Sequence, residues 1–172
     1  MNVFRRRPPL PARRVGRYVL QATTGQDATG VLWQGADTLL PREVVVKEIT
    51  VAERLPPEER DAFDLRLLRR WLEVARIRHP GAVTPFDVLQ EQGRTYLVTE
   101  RMDAPSLAEL VERLRPCTPV EAAAIGRQLL EVLQAAHRHG VVHGDVRPEN
   151  VLVRSDGRVK LTNFGMALPN GL

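Results

Sequence analysis

The chain has 172 residues, of which 43% are hydrophobic and 27% are charged, a composition typical of globular proteins and unlike that of disordered or fibrous ones. No apolar run approaches the roughly 20 residues that a membrane-spanning helix requires, so we expect no membrane span and a cytoplasmic location. The formal net charge is +4, but residues 1–14 contain five arginines and no acid, and the rest of the chain is close to neutral. We therefore expect no nucleic-acid partner, and the single cysteine, Cys117, receives no role.

The first half of the chain alternates short apolar segments with turn residues. Residues 1–16 are predicted to form a disordered basic leader that is rich in Arg and Pro. Segments rich in Val, Leu and Tyr then predict five strands of a small antiparallel sheet, over residues 17–25, 29–35, 42–50, 83–90 and 94–100. Between the third and fourth strands, apolar residues at helical spacing predict one long helix over residues 56–77. Sheet and helix together are expected to form one lobe, residues 17–102.

The second half of the chain has a helical character, and we place a lobe boundary after residue 102. Ser106 and Thr118 are each followed three residues later by Glu, which is the capping-box pattern of a helix start. Beyond the second of these starts, apolar residues recur every three or four positions and predict a helix with one apolar face. Residues 151–154 and 158–162 flank an Asp-Gly turn and predict a short hairpin.

Residues 141–165 carry the most informative pattern, VVHGDVRPENVLVRSDGRVKLTNFG. The segment resembles the catalytic loop and metal loop of serine/threonine protein kinases, H-R-D-L-K-P-x-N followed by a hairpin and D-F-G, with the same spacing. VVVK ending at Lys47, the His79-Pro80 pair after the long helix and YLVTERM over residues 96–102 agree with the same family. The resemblance runs from about residue 17 to residue 168, and the Arg, Ala and Leu bias fits a bacterial, actinobacterial-type member.

The resemblance implies an α+β, protein-kinase-like bilobal fold. Its N-lobe, residues 17–102, would hold the five-stranded antiparallel sheet and the long helix. Residues 103–172 would form a partial, mainly helical C-lobe that is truncated after Asn163-Phe164-Gly165, without the activation segment and later helices of the family. A protein partner, or the C-terminal part of a kinase domain, is expected to complete this lobe.

The resemblance also gives each matched polar residue a task, since phosphoryl transfer needs an aligned hydroxyl and neutralised phosphates. Asp145 would orient the attacking hydroxyl. Arg147 stands where the family has lysine, and it would keep a positive charge for the transferred phosphate. Asn150 would offer an amide oxygen to Mg²⁺, and Lys47 would contact the phosphates of ATP. His143 is expected to be a packed structural residue.

Further positions would surround the bound nucleotide. Gly25 and Gly30 would belong to the glycine-rich loop over the phosphates. The remaining predicted nucleotide-binding residues are Leu32, Val45, Glu100, Met102 and Leu152. The apolar members of this set would lie around the adenine ring.

Besides Arg147, three positions depart from the family pattern. Asn163 replaces the metal-binding aspartate, so Asn150 and Asn163 would supply two neutral amides, and Mg²⁺ binding should be weak. Asp27 replaces the second glycine of the loop and would face the phosphates. Arg70 replaces the helix glutamate that pairs with the strand lysine in the family, and Glu73, one helical turn on, is the alternative partner.

These departures favour a pseudokinase or a catalytically impaired serine/threonine kinase that binds ATP weakly and has a regulatory or interaction role. One alternative is an active ATP-dependent serine/threonine kinase, or a fragment of one, because Lys47, Asp145 and Asn150 are all present. A second is a small-molecule phosphotransferase, because His143-Gly144-Asp145 is similar to the H-G-D of aminoglycoside-type kinases. A third is an interaction domain that binds no nucleotide.

Overall fold

A computed structural model describes residues 13–113, 116–164 and 166 of the chain. The N-terminal part is an antiparallel sheet of six strands in the order β1-β2-β3-β4-β6-β5. The strands are β1 (Arg13–Val15), β2 (Tyr18–Gln26), β3 (Gly30–Asp37), β4 (Glu43–Ile49), β5 (Pro85–Glu91) and β6 (Arg94–Glu100). The five predicted strands are all present, within two residues of their predicted bounds.

Residues 1–16 were predicted to form a disordered leader, and the additional strand, β1, corrects this prediction for its last residues, 13–16. Gly16 has a φ of 52° and turns the chain back, so that β1 pairs with β2 as a tight hairpin. The guanidinium of Arg13 donates two hydrogen bonds to the buried carboxylate of Glu48, at 2.9 and 2.8 Å. A strand of two arginines and one valine carries no periodic signal, so its position depends on this tertiary contact. Residues 1–12 lie outside the described residues.

Within the described ranges, three α-helices accompany the sheet: α1 (Pro57–Val74), α2 (Leu107–Arg113) and α3 (Pro119–Arg138). Both predicted capping boxes form, since the carboxylates of Glu109 and Glu121 accept hydrogen bonds from the backbone N–H groups of Ser106 and Thr118, at 2.8 Å each. The two hydroxyls in turn accept from the backbone N–H groups of the glutamates. In the described part of the chain, no helix is long and apolar enough to cross a membrane.

The sheet is curled and encloses the first of two apolar cores. Val44 and Val46 of β4 lie inside the curl, where they pack with apolar side chains of β1, β2 and β6. Because side chains alternate along a strand, Val45 and Lys47 lie on the opposite face, which borders the helical part of the chain.

The second core joins this opposite face of the sheet to the helices. Two short strands, β7 (Val151–Val153) and β8 (Val159–Leu161), form the predicted hairpin and contribute to it. Side chains from α1, β6, α3 and the hairpin meet there, among them Phe63, Trp71, Leu97, Val132 and Leu161. This core holds the loop of residues 141–150 below the sheet, between α3 and β7.

Gly30, at the start of β3, lies directly against the backbone of β4. A Cβ at this position would lie 1.9 Å from the carbonyl oxygen of Glu48, and only separation of two paired strands would relieve that contact. We expect Gly30→Ala to lower the free energy of unfolding by about 2 kcal/mol or more, measured by denaturant unfolding. Gly25→Ala is the matched control, because its Cβ would touch only the tip of Leu32, at 4.0 Å. Equal stability of the two variants would contradict the expectation.

Candidate functional site

A cleft of about 610 Å³ lies between the sheet and the helical part of the chain. The predicted site residues that line it are Leu32, Val45, Lys47, Glu100, Met102, Asp145, Arg147, Asn150, Leu152 and Asn163. The apolar members of this set come from β3, β4, β7 and the segment that follows β6. Gly25 and Gly30 lie at the two ends of the β2–β3 loop and not on the cleft wall. The fold therefore brings together residues that are distant in sequence.

His143 anchors the loop of residues 141–150 to the segment after β8. It is 1% exposed, its Nε2 donates to the carbonyl oxygen of Thr162 at 2.8 Å, and its Nδ1 accepts from the backbone N–H of Asp145 at 3.2 Å. Its ring also meets that of Phe164 edge to face, with 4.6 Å between centroids. Burial lowers the pKa of His143, so the ring is neutral at physiological pH. The residue positions the loop, in the structural role predicted for it.

Asp145, Asn150 and Asn163 are connected by a chain of hydrogen bonds. Nδ2 of Asn150 donates to the backbone oxygen of Asp145 at 2.8 Å and to its carboxylate Oδ2 at 2.9 Å. Nδ2 of Asn163 donates to Oδ1 of Asn150, also at 2.8 Å. Asn163 has a φ of 63°, in the left-handed region that asparagine adopts more readily than most residues. The chain of bonds fixes the buried Asn150 beside the exposed Asp145.

Lys47 is paired with a carboxylate from the β2–β3 loop. Its Nζ donates to Oδ2 of Asp27 at 2.7 Å and to Oδ1 of Asn163 at 3.4 Å. Burial lowers the pKa of Lys47, and the ion pair with Asp27 opposes this effect. Burial alone would raise the pKa of Asp27, because it disfavours the charged carboxylate. The charge of Lys47 and hydrogen bonds from Thr29 outweigh this effect and hold the pKa of Asp27 below its usual value. Asp27 is therefore ionised at neutral pH.

Comparison with known sequences decides the family. Residues 18–169 match the sequence profile of the protein kinase domain. The chain belongs to the protein kinase family. It is 35% identical over 150 residues to the serine/threonine-protein kinase PknL of Mycobacterium tuberculosis, and 35% identical over 155 residues to the probable serine/threonine-protein kinase PknB of Corynebacterium glutamicum. These alignments cover 87% and 88% of this chain but 37% and 23% of the relatives, so the chain spans less than half of their length.

Comparison with solved structures shows the same fold. The kinase domain of Mycobacterium tuberculosis PknI superposes with a TM-score of 0.74 over 91% of this chain and 62% of that one, at 22% identity. A second crystal structure of that domain, carrying a single substitution, gives a TM-score of 0.75. The predicted α+β, bilobal kinase fold, with an antiparallel N-lobe sheet and one long helix, is confirmed, and the sheet has six strands where five were predicted.

The kinase helix that normally supplies a glutamate to the strand lysine is α1, and here it supplies none. Arg70 and Glu73 both line a separate cavity, and in the described residues the carboxylate that pairs with Lys47 is that of Asp27. The α1 side chain that borders Lys47 is Trp71, at a cavity of about 30 Å³. Its indole N–H is buried without an acceptor among the described residues, and the cavity has room for one water molecule.

Two other predicted residues have side-chain partners of their own. Nε of Arg147 donates to Oε2 of Glu149 at 2.9 Å, and this hydrogen bond lowers the pKa of Glu149 to about 2. Oε1 of Glu100 accepts from Nζ of Lys160 at 2.5 Å. The guanidinium of Arg147 therefore borders the cleft with a carboxylate attached, and its charge there is partly offset.

The kinase family implies Mg²⁺, and the oxygens at the metal position show whether it fits. Mg²⁺ takes oxygen ligands, usually including one or two carboxylates. Oδ1 of Asn150 accepts a hydrogen bond from Asn163 at 2.8 Å, and Oδ1 of Asn163 accepts one from the ammonium of Lys47 at 3.4 Å, so a positive charge already lies beside this position and the two amides supply no carboxylate. Among the residues that the structure describes, no three His, Cys, Asp or Glu side chains are grouped as a metal site. The residues as arranged do not fit Mg²⁺.

Several cleft residues escaped prediction from the sequence. They are Gln26, Ala28, Thr29, Val83, Thr99, Glu149, Thr162 and Met166. Strand alternation could have identified Thr99, because it pairs in register with Val45, which was placed at the adenine ring. The ion pair of Asp27 with Lys47 was also missed. Its signal was an acid in the glycine-rich loop together with the missing glutamate of α1.

Proposed function

We propose that this chain is a protein-kinase module that binds adenine nucleotides weakly and independently of Mg²⁺, transfers little or no phosphate, and has a regulatory or interaction role. The observation that carries the proposal is the Asn150–Asn163 pair, in which both amide oxygens accept hydrogen bonds from nitrogen donors. Kinases hold their metal ion with an aspartate at the position of Asn163. Here that position supplies a neutral amide and an N–H donor.

The apolar end of the cleft supports the nucleotide-binding part of the proposal. Leu32, Val45, Met102 and Leu152 lie together around a space of the size that small-molecule sites usually have. Lys47 lies in the same cleft and is the residue that contacts the phosphates in kinases. A flat aromatic base between the apolar side chains would bury surface that is now open to solvent, which favours binding.

The polar end of the cleft supports the loss of phosphoryl transfer. The transition state spreads negative charge over the phosphate oxygens, and kinases offset it with two metal ions and positive side chains. Loss of one such electrostatic group commonly lowers the rate by about 10² to 10³. This chain lacks the metal carboxylate and also carries Asp27 against Lys47. Asp145 can still orient a hydroxyl, but the charge of the transition state would remain without compensation.

Exposed apolar side chains support an interaction role. Val142 and Val146, which flank Asp145 in the loop, are 58% and 48% exposed, and Leu130 of α3 is 68% exposed. Val142 and Val146 lie in the same loop, and exposed apolar patches are typical of surfaces that a protein partner covers. The expected partner is therefore a protein surface with apolar character, including that of a kinase C-lobe.

The test of the transfer step is a comparison of the wild-type chain with Asp145→Asn. Radiolabelled ATP with Mg²⁺ would be incubated with each protein and a generic protein substrate, and labelled product counted. Asparagine keeps an acceptor oxygen for Asn150 but cannot take the hydroxyl proton. We expect equal turnover for both proteins, at the level of the blank. Turnover of the wild type above that of the variant would overturn the proposal.

A second candidate function is that of an active serine/threonine protein kinase. It is favoured by the joint presence of Lys47, Asp145 and Asn150 in one cleft and by the relatives PknL and PknB, which are named serine/threonine-protein kinases. The same comparison decides between the candidates. Wild-type turnover that disappears in Asp145→Asn is the result that this second candidate requires.

A further inference from the structure

The carboxylate of Asp27 has the hydrogen-bond partners that a phosphate group would need. Its Oδ1 accepts from the backbone N–H of Thr29 at 2.9 Å, from the hydroxyl of Thr29 at 2.6 Å and from the backbone N–H of Gly30 at 3.1 Å. Its Oδ2 accepts from Nζ of Lys47 at 2.7 Å. Backbone N–H groups of a glycine-rich loop and a lysine from the neighbouring strand are the donors that hold nucleotide phosphates in kinases.

We propose that Asp27 is an internal substitute for a nucleotide phosphate, and that it makes the cleft select adenine nucleosides without phosphates over ATP. This inference rests on the proposed nucleotide-binding function and names the class of ligand that the site takes. A nucleoside fills the apolar end and leaves the pair of Asp27 and Lys47 intact. A triphosphate has to displace Asp27 from Lys47 or lie against its carboxylate.

The charges at this end of the cleft favour the uncharged ligand. In the described part of the chain, three carboxylates line this end of the cleft, those of Asp27, Asp145 and Glu149. Two cations lie among them, Lys47 and Arg147. Both cations already have carboxylate partners. The metal position does not offer a divalent cation that would offset the phosphates, because Asn150 and Asn163 supply two neutral amides and no carboxylate there. A triphosphate would therefore add negative charge to a site that is already net negative.

A purely local role of Asp27, as a cap of the β2–β3 turn, makes a different prediction. In that case only the hydrogen bonds of Oδ1 matter, and they do not depend on the charge. Asp27→Asn separates the two roles, because an asparagine oxygen can still accept from Thr29 and Gly30 while the negative charge beside Lys47 is lost.

The experiment is a calorimetric titration of adenosine, ADP and ATP, each without divalent cations, into the wild type and Asp27→Asn. Glu131→Gln is the control, since it removes the same charge from an exposed α3 pair with Arg127. We expect the wild-type Kd for adenosine to be lower than that for ATP, and the ATP Kd to fall about tenfold or more in Asp27→Asn. The adenosine Kd should be unchanged in both variants, and the melting temperatures should show that both are folded.

Two results would overturn the inference, and only the second would also overturn the proposed nucleotide-binding function. If the wild type binds ATP and Asp27→Asn binds it no more tightly, Asp27 is a turn cap and the proposed function is unaffected. If neither adenosine nor ATP binds any of the three proteins, the inference and the proposed nucleotide-binding function both fail.

Discussion

Asn163→Asp is expected to make ATP binding depend on Mg²⁺. Aspartate at this position supplies a carboxylate and, at the same time, removes the N–H donor that occupies Oδ1 of Asn150. The position would then offer a carboxylate beside the amide oxygen of Asn150. Opposite charges at a partly exposed site gain several kcal/mol, so Mg²⁺ should lower the Kd for ATP by at least about tenfold in the variant. Calorimetric titration of ATP with Mg²⁺ or EDTA measures the effect.

Asn163→Ala is the matched control for this gain. It also frees Oδ1 of Asn150 but adds no carboxylate, so its ATP affinity should be insensitive to Mg²⁺. If the alanine variant gains as much as the aspartate variant, the blocked oxygen of Asn150 is the main obstacle, and the missing carboxylate is not. No Mg²⁺ dependence in Asn163→Asp would show that the metal position is lost for another reason.

Glu48→Ala is expected to lower the free energy of unfolding more than Gly30→Ala or Glu43→Ala. Glu48 is 3% exposed, and besides Arg13 its carboxylate accepts from Arg94 at 2.6 Å and from the indole N–H of Trp33 at 3.1 Å. Removal of the carboxylate deprives two guanidinium groups and an indole N–H of their shared acceptor, although Arg94 keeps its ion pair with Glu53. Breaking one side of such a buried network costs about 3 kcal/mol or more, and the partial exposure of both arginines favours the lower end. Denaturant unfolding at pH 7 measures the loss.

Glu43→Ala is the control for this stability prediction. Glu43 lies in the same strand and pairs with Arg101 at 2.7 Å, but both side chains reach solvent. Exposed ion pairs contribute about 0–1 kcal/mol, so this variant should be nearly as stable as the wild type. A comparable loss in both variants would mean that the buried network contributes no more than a surface pair.

The same network predicts how stability depends on pH. Burial would raise the pKa of Glu48, but hydrogen bonds from Arg13 and Arg94 outweigh it, and the pKa lies below its usual value of 4.5. A carboxyl whose pKa is lowered on folding stabilises the fold above the unfolded pKa, and the stabilisation is lost as pH falls below it. Between about pH 5 and pH 3, the wild type should therefore lose stability more steeply than Glu48→Gln. If the stability of the wild type and of Glu48→Gln fell in parallel over this pH range, the lowered pKa of Glu48 would be contradicted.

Most of the regular structure could be predicted because its signals are local. The strands around Val44–Val46 and Tyr96–Val98 carry runs of β-branched and aromatic residues, and the helices after Ser106 and Thr118 carry complete capping boxes. The polar part of the cleft could be predicted because its residues stand at fixed spacings within two short motifs, the loop of residues 141–150 and the VVVK strand that ends at Lys47. These features depend on neighbours a few residues away.

The missed features depend on contacts between distant residues. β1 exists because Arg13 reaches Glu48, which lies 35 residues further along the chain. Lys47 pairs with Asp27, 20 residues away, because α1 turns Glu73 elsewhere and places Trp71 beside the lysine. No period or motif in a single sequence encodes such choices, since each is decided by which partner the packed fold brings within reach.

The ATP affinity of the wild-type chain with and without Mg²⁺ tests the central claim most directly. Calorimetric titrations would be run in EDTA and in saturating Mg²⁺, with Lys47→Met as the control that the heat comes from the cleft. We expect weak binding with Kd values that agree within about threefold, a difference below about 1 kcal/mol, and loss of ATP binding in the variant. A Kd lowered about tenfold or more by Mg²⁺ would show that Asn150 and Asn163 hold the metal, and would contradict the claim.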